Sequence, residues 1–311
     1  MTPLTPNPSS TRNEGSPPPT LKPSLKGGMW PLRVNAMTVD VEDYFQVSAF
    51  EPYISREQWD QLPHRVERNT NRILDLFAEQ DIKATFFTLG WVAKRHPDLV
   101  RRIVTEGHEL ASHGYAHIRV TQQTPVEFRE DVTRTKALLE DLGGVAIQGY
   151  RAASYSIGAS NLWALAELEQ AGYRYSSSIY PIRHDLYGMP EAPRFAFQPD
   201  NAPALLEIPV TTVAVFGKTF PCGGGGWFRL WPYGLSRWAL RRVNWQDRQS
   251  GIFYFHPWEI DPEQPRQPDI NFKTRLRHYL NLNRMEERLR ALLRDFHWDR
   301  MDRVFFKAEN P

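Results

Sequence analysis

The chain of 311 residues has a single cysteine, Cys222. That excludes an internal disulfide framework and any zinc site built on several thiolates. No stretch approaches about 18 consecutive apolar residues, so nothing reads as a membrane-spanning helix. No sign of charge dominates: 38 Lys and Arg stand against 36 Asp and Glu, a net +2. Such a balance makes no electrostatic case for nucleic acid or an anionic membrane as the main partner. With thiolates scarce, a bound metal must be held by histidine and carboxylate. Apolar residues make up 41% of the chain and charged residues 24%, an ordinary globular composition.

The first 29 residues are rich in Pro, Ser, Thr and Gly and poor in apolar side chains. They cannot bury enough apolar surface to offset the entropy of ordering them, and are expected to form a disordered tail. The segment lacks the apolar core of a secretory signal, which points to the cytoplasm. From Val34 onward, short strand-like runs alternate with helical patterns. Val34–Asp40, Ala84–Leu89, Glu109–Ser112, Ile147–Tyr150, Tyr173–Ser176, Leu205–Val210 and Ile252–His256 read as strands. Arg65–Gln80, Pro97–Glu106, Pro125–Leu142 and Asn161–Gln170 read as helices, with Asn69 and Thr70 blurring the start of the first. This alternation predicts an α/β fold: a closed or nearly closed barrel of six or seven parallel strands.

In such barrels the chemistry gathers at the C-terminal strand ends. Here those ends carry Asp40, Glu42 and Asp43, then His113 and His117, then Arg151, then His256 with Trp258 and Glu259. His113 and His117 have H-x-x-x-H spacing, which suits one metal from a helix face or a tight turn. A third ligand must be a carboxylate, and the 40–43 cluster offers three. Two histidines, one carboxylate and an open position make a catalytic rather than a structural zinc arrangement. Arg151, in an otherwise small and apolar stretch, would offset the crowding of like charges.

Asp40-x-Glu42-Asp43, His113-x-x-x-His117, Gly-Tyr-Arg151-Ala-Ala-Ser-Tyr155 and Phe-His256-Pro-Trp258-Glu resemble, in order, the motifs of polysaccharide deacetylases with the NodB homology domain, carbohydrate esterase family 4. The stretches TVDVEDYFQVSAFEP, ELASHGYAHIRV and YFHPWEIDPEQPR, and the tail FKTRLRHYLNLNRMEERLRALLRDF, resemble the branch found with exosortase-linked exopolysaccharide loci. The resemblance covers about residues 34–305. It implies a deformed (β/α) barrel of about seven parallel strands spanning 30–311, C-terminal extension included. It also implies a divalent metal, most often zinc, and removal of N-acetyl groups from the amino sugars of a polysaccharide. Carried over, Asp40 is the catalytic base, Arg151 orients it and His256 is the catalytic acid. His113, His117 and Glu42 are the metal ligands, with Asp43 the alternative to Glu42. Tyr155 and Trp258 would face substrate, Trp258 walling the acetyl pocket or packing on a sugar, unless it is a core aromatic. Two positions depart from the pattern: Ala153 replaces a proline, and Tyr175-Ser176-Ser177-Ser178 stands where Tyr-Asp-Ser-Ser is expected.

The expected partner is an N-acetylated glycan, without nucleic acid or a membrane span. A small-amide or ureide amidase on the same scaffold, and a non-catalytic glycan-binding relic, are the competing readings. Gly223–Gly226 lacks the Lys-Ser/Thr of a phosphate loop and reads as a flexible loop bordering the substrate groove. Arg284–Phe296 reads as a core-packing amphipathic helix before a final strand at Arg303–Lys307.

Overall fold

The computed structural model describes residues 33–184 and 187–306. The expected 1–29 tail, Asp185 and Lys307 lie outside them. Ten strands are present among the described residues: β1 (Val34–Val41), β2 (Thr85–Thr88), β3 (Glu109–Ser112), β4 (Gly149–Tyr150), β5 (Tyr175–Ser176), β6 (Leu206–Glu207), β7 (Thr212–Val215), β8 (Lys218–Pro221), β9 (Ile252–Phe255) and β10 (His297–Asp299). Eight of them form one sheet of parallel pairs, in the order β10-β1-β2-β3-β4-β5-β6, with β9 also on β1. Residues 34–36 of β1 pair with β10 and residues 36–39 with β9, so the two late strands share one edge of β1. The result is the expected deformed barrel.

The helices are α1 (Val66–Glu79), α2 (Gly90–Arg95), α3 (Pro97–Thr105), α4 (Pro125–Gly143), α5 (Trp163–Gln170), α6 (Gly225–Leu230), α7 (Tyr233–Trp245), α8 (Phe272–Tyr279), α9 (Leu282–Asp295) and α10 (Met301–Phe305). The period of two along β1 sorts its side chains. Met37, Val39 and Val41 pack with the helical layer, while Ala36 joins Phe87, Ala111, Tyr175, Ile208, Ile252 and Met301 in a separate interior cluster. Asp40 shares the phase of Ala36 and is carried to the C-terminal mouth. At the other end α10 sits against the barrel floor: the Met301 N–H donates to Thr85 Oγ1 (2.8 Å), whose hydroxyl donates to the buried Glu109 (2.6 Å).

α4 begins with Thr124 and Glu127 in a reciprocal capping box and ends at Gly144 in the left-handed conformation (φ 65°). α1 has no such local cap. Asp43, twenty-two residues upstream of Arg65, supplies it: its Oδ2 accepts the N–H groups of Arg65 (2.6 Å) and Val66 (2.9 Å). A cap that distant leaves no mark in the local sequence, which is why the start of this helix is blurred there.

Two expectations change. The strand placed at Arg303–Lys307 is instead β10, eight residues earlier at its end, and residues 301–305 form α10. The Gly223–Gly226 run is no flexible groove loop. Residues 222–225 are buried and close the barrel beside β9: the Gly223 N–H donates to the Thr211 carbonyl (3.2 Å) and the Tyr254 N–H to the Gly223 carbonyl (2.8 Å). A Cβ on Gly223 would lie 2.4 Å from the Ile252 carbonyl oxygen, and one on Gly225 2.2 Å from Glu259 Oε2. The glycines are there because backbone must pass where side chains do not fit.

Gly223→Ala is therefore expected to destabilise the protein by about 1–3 kcal/mol in urea unfolding. Gly226→Ala, whose Cβ meets nothing within 4 Å, should match or slightly exceed wild type.

Candidate active site

Side chains from the ends of four strands converge at the barrel mouth. Asp40 and Glu42 leave the end of β1, His113 and His117 follow β3, Arg151 follows β4, and His256 follows β9. The loop after β3 is not helical. Gly114 (φ 72°) and His117 (φ 51°) both take left-handed conformations, and the chain folds back until the two imidazoles lie 5.2 Å apart, centroid to centroid.

Glu42, His113 and His117 are all buried and offer ligand atoms within 4.8 Å of one another. The His113 Nδ1–H donates to the Arg151 carbonyl (2.8 Å), which fixes the tautomer and leaves Nε2 as the lone-pair nitrogen. Burial pulls His113 down to a pKa of about 4, so it is neutral, as a ligand must be. Burial pushes the Glu42 carboxyl up, but His117 and His256 outweigh it and hold it at about 2. Glu42 Oε2 stands 2.9 Å from His117 Nε2. Even so, neither Glu42 Oε2 nor His117 Nδ1 makes a hydrogen bond among the described residues, although both are buried. An orphaned carboxylate oxygen beside two buried imidazoles fits a divalent cation held by Glu42, His113 and His117. Asp43 turns elsewhere: besides capping α1, it accepts the Tyr44 N–H (2.9 Å), and burial raises its carboxyl to about 6 despite those donors.

Arg151 is wholly buried. Its Nη1 donates to Asp40 Oδ1 (2.6 Å) and Thr38 Oγ1 (2.8 Å), and its Nη2 to Ser177 Oγ (3.1 Å). The guanidinium rests 4.0 Å above the Phe87 ring. The serines at the departing motif are thus structural acceptors: Ser177 holds Arg151, and Ser178 Oγ accepts the Ala152 N–H (2.9 Å). The other Asp40 oxygen faces His256 Nε2 at 3.9 Å.

His256 keeps some solvent access. Its Nδ1 meets Glu259 Oε2 at 3.0 Å, and Glu259 in turn accepts the Nε–H of the buried Arg229 (2.7 Å). Burial lowers the His256 pKa, but Glu42, Glu259 and Asp40 outweigh it and raise it to about 9. Glu259 stands in the sequence motif without a role of its own. Arg229 has no local signal at all, because thirty residues and a helix separate it from its partner.

Tyr155 is buried, with its ring 4.8 Å from Tyr254 and its hydroxyl unpaired among the described residues. It and Ser154 both adopt positive φ (50° and 53°), an uncommon pair of non-glycine conformations beside the site. Trp258 is only 6% exposed, is stacked near-parallel with His256 and His278, and donates its indole N–H to Glu42 Oε1 (3.3 Å). Trp258 is thus packed as a core aromatic is, directly against the Glu42 carboxylate.

Residues 58–176 match the family profile described as polysaccharide deacetylase. The chain carries a polysaccharide deacetylase domain. Residues 177–306 match a second profile, described as a domain of unknown function (DUF3473). The mouth of the deacetylase barrel draws on both: His113, His117 and Arg151 lie in the first match, His256 and Glu259 in the second, and Asp40 and Glu42 precede both. A peptidoglycan-N-acetylglucosamine deacetylase of Bacillus cereus is 38% identical over 77 residues, 25% of this chain and 28% of that one. A chitooligosaccharide deacetylase of Rhizobium leguminosarum bv. trifolii is 38% identical over 106 residues, 34% of this chain and 47% of that one. The chain thus spans less than half the length of these two relatives. A structure named as a candidate polysaccharide deacetylase from Mycobacterium smegmatis superimposes with a TM-score of 0.57 at 18% identity, covering 89% of this chain and 91% of that one. An allantoinase superimposes with a TM-score of 0.55 at 18% identity, covering 88% and 90%. Both likenesses concern the fold. Among the described residues no helix is long and apolar enough to cross a membrane.

Asp43→Ala is expected to cost about 1–2 kcal/mol of stability in urea unfolding, the usual range for loss of a helix cap.

Proposed function

We propose that the chain is a metal-dependent hydrolase that removes N-acetyl groups from the amino sugars of a polysaccharide, with zinc as the metal and bacterial exopolysaccharide synthesis as the setting. The single observation that carries the reading is the meeting of a buried His-His-Glu cluster with an Arg-held aspartate and a carboxylate-backed histidine at one barrel mouth. The deacetylase-matching and DUF3473-matching segments act on this reading as one catalytic unit over residues 30–311, because neither holds a complete site.

Glu42, His113 and His117 would hold the cation, which supplies Lewis acidity to an acetyl carbonyl and to water. Asp40 takes the proton from the attacking water. Arg151 fixes Asp40 in place, so the base meets the nucleophile without reorganising. His256, held as imidazolium by Glu259, gives its Nε2 proton to the departing amide nitrogen. Acetate and a free amine result. The Tyr155 N–H is committed to the Ala152 carbonyl (3.0 Å) and takes no part as an oxyanion donor; the adjoining Ser154 N–H is assigned that part. Tyr155 and Trp258 border the acetyl site, Trp258 by holding Glu42.

The reading is tested by Asp40→Asn. Acetate release from N-acetylated chito-oligosaccharide should fall at least about 100-fold, the scale of a lost general base, while metal content by elemental analysis stays at the wild-type level. Equal release from both proteins at the background level only would reject an enzyme in favour of a glycan binder. Turnover confined to small cyclic amides would identify an amidase instead.

The acid assignment has its own test in the pH profile. His256 acts when protonated, so kcat/KM should fall as pH rises through its pKa. Glu259→Gln removes one of the charges that favour the imidazolium and weakens the hydrogen bond at Nδ1. The alkaline limb should therefore move to lower pH by about one unit or more.

A further inference from the structure

The balanced charge of the whole chain conceals a segment of another character. Thr212–Gln246 contains no aspartate or glutamate, yet carries Lys218, Arg229, Arg237, Arg241 and Arg242 and four of the ten tryptophans. Its apolar side chains do not all turn inward. Phe216, Trp231, Leu235, Trp238 and Trp245 are exposed, Phe216 completely and Trp245 by 66%.

The periodicity of α7 puts three of them, Leu235, Trp238 and Trp245, to one side. Ser236, Ala239, Leu240 and Val243 are buried, and Ala239 and Val243 pack with Val213 beneath the hairpin. Leu235, Trp238 and Trp245 recur at intervals of three and seven on the opposite face. Arg242 lies 5.9 Å over the Trp238 ring and Arg241 5.5 Å over Trp245, so each indole is flanked by a cation. The acids just outside the segment are engaged: Asp247 with Arg194 (2.9 Å) and Asp295 with Arg237 (3.0 Å).

The β7–β8 hairpin adds an independent signal. Its turn is Phe216-Gly217, and Phe216 sits at φ 49°. That left-handed position is one where Asn, Asp or Gly is at ease and a bulky aromatic is strained. A fully exposed phenylalanine held there at a conformational cost needs a reason outside the folded domain.

We propose that the Phe216 hairpin tip and the exposed face of α7 dock the protein on an anionic membrane surface. Indole rings partition to the bilayer interface, arginines at their edges meet anionic headgroups, and a leucine and a phenylalanine enter the acyl boundary. Two other occupants fit less well. A second copy would set one cationic face, its nearby acids already engaged, against another. A glycan would stack on the tryptophans but would leave the exposed leucine and phenylalanine without an apolar partner. α6 joins this face to the site, since its buried Arg229 grips Glu259 while Trp231 at its C-terminal end is exposed.

The test is co-sedimentation of the full chain with phosphatidylcholine vesicles, with and without phosphatidylglycerol, alongside tryptophan emission. Wild type should sediment with the anionic vesicles, more weakly as salt rises, with a blue-shifted emission. The Trp238→Ala/Trp245→Ala variant should bind at least about tenfold more weakly. Phe216→Asn, which relieves the strained turn, should also lose affinity while unfolding no earlier than wild type. Failure to sediment with anionic vesicles, or unchanged binding by both variants, would overturn the proposal. So would a dimer in light scattering, or retention on a glycan matrix, that the tryptophan variant abolishes in a protein that ignores vesicles.

Discussion

A guanidinium sealed from water must be neutralised where it lies, and Arg151 meets that demand with Asp40. The cost of burying two charges is recovered only when geometry and additional hydrogen bonds are good. Thr38, Ser177 and the Phe87 ring supply those additional contacts. The backbone carbonyl of the same arginine then fixes the tautomer of His113. The placing of Asp40 and the orientation of His113 at the mouth both follow from one buried residue. On the opposite side, Arg229 does for Glu259 what Arg151 does for Asp40, and so extends the arrangement to His256.

These two arginines divide the site into halves that differ in how they are written along the chain. The half around Arg151 is legible in the amino-acid order alone. Its residues sit directly after strands, and the spacing of His113 and His117 is itself a chemical signature. Which acid faces those histidines is not legible there. Glu42 and Asp43 are neighbours of the same type, and the choice depends on α1 needing a cap that its own first residues do not provide. The half around Arg229 is legible only at His256, because its other members are joined by packing rather than by order along the chain.

The fold shows the same division. The alternation of β1 to β6 with α1, α3, α4 and α5 is readable because hydrophobic period and stop signals agree there. Where the chain departs from that alternation the pattern loses its meaning: α2, the β7–β8 hairpin, α6 and β10 are too short to show a period, and in α7 apolar residues on both faces blur it. The glycine run looks flexible because composition alone does not distinguish a mobile glycine from one pressed against Ile252 and Glu259. The tryptophan-bearing face of α7 is hidden by averaging charge over the whole chain. Locally, the absence of acids is the informative quantity.

The shared edge of β1 also bears on the order in which the protein is made. β1 is the first of the ten described strands to leave the ribosome, yet two of its three partners, β9 and β10, are more than two hundred residues away along the chain. Throughout most of translation that edge has its N–H and C=O groups unpaired, a template for association between nascent chains. The cluster of Glu42, His113 and His117 is complete once β3 and its loop have emerged, long before His256 arrives. On the proposed function, a cation captured at that stage would brace the growing half-barrel, and the acid that completes the site would come only with the emergence of β9.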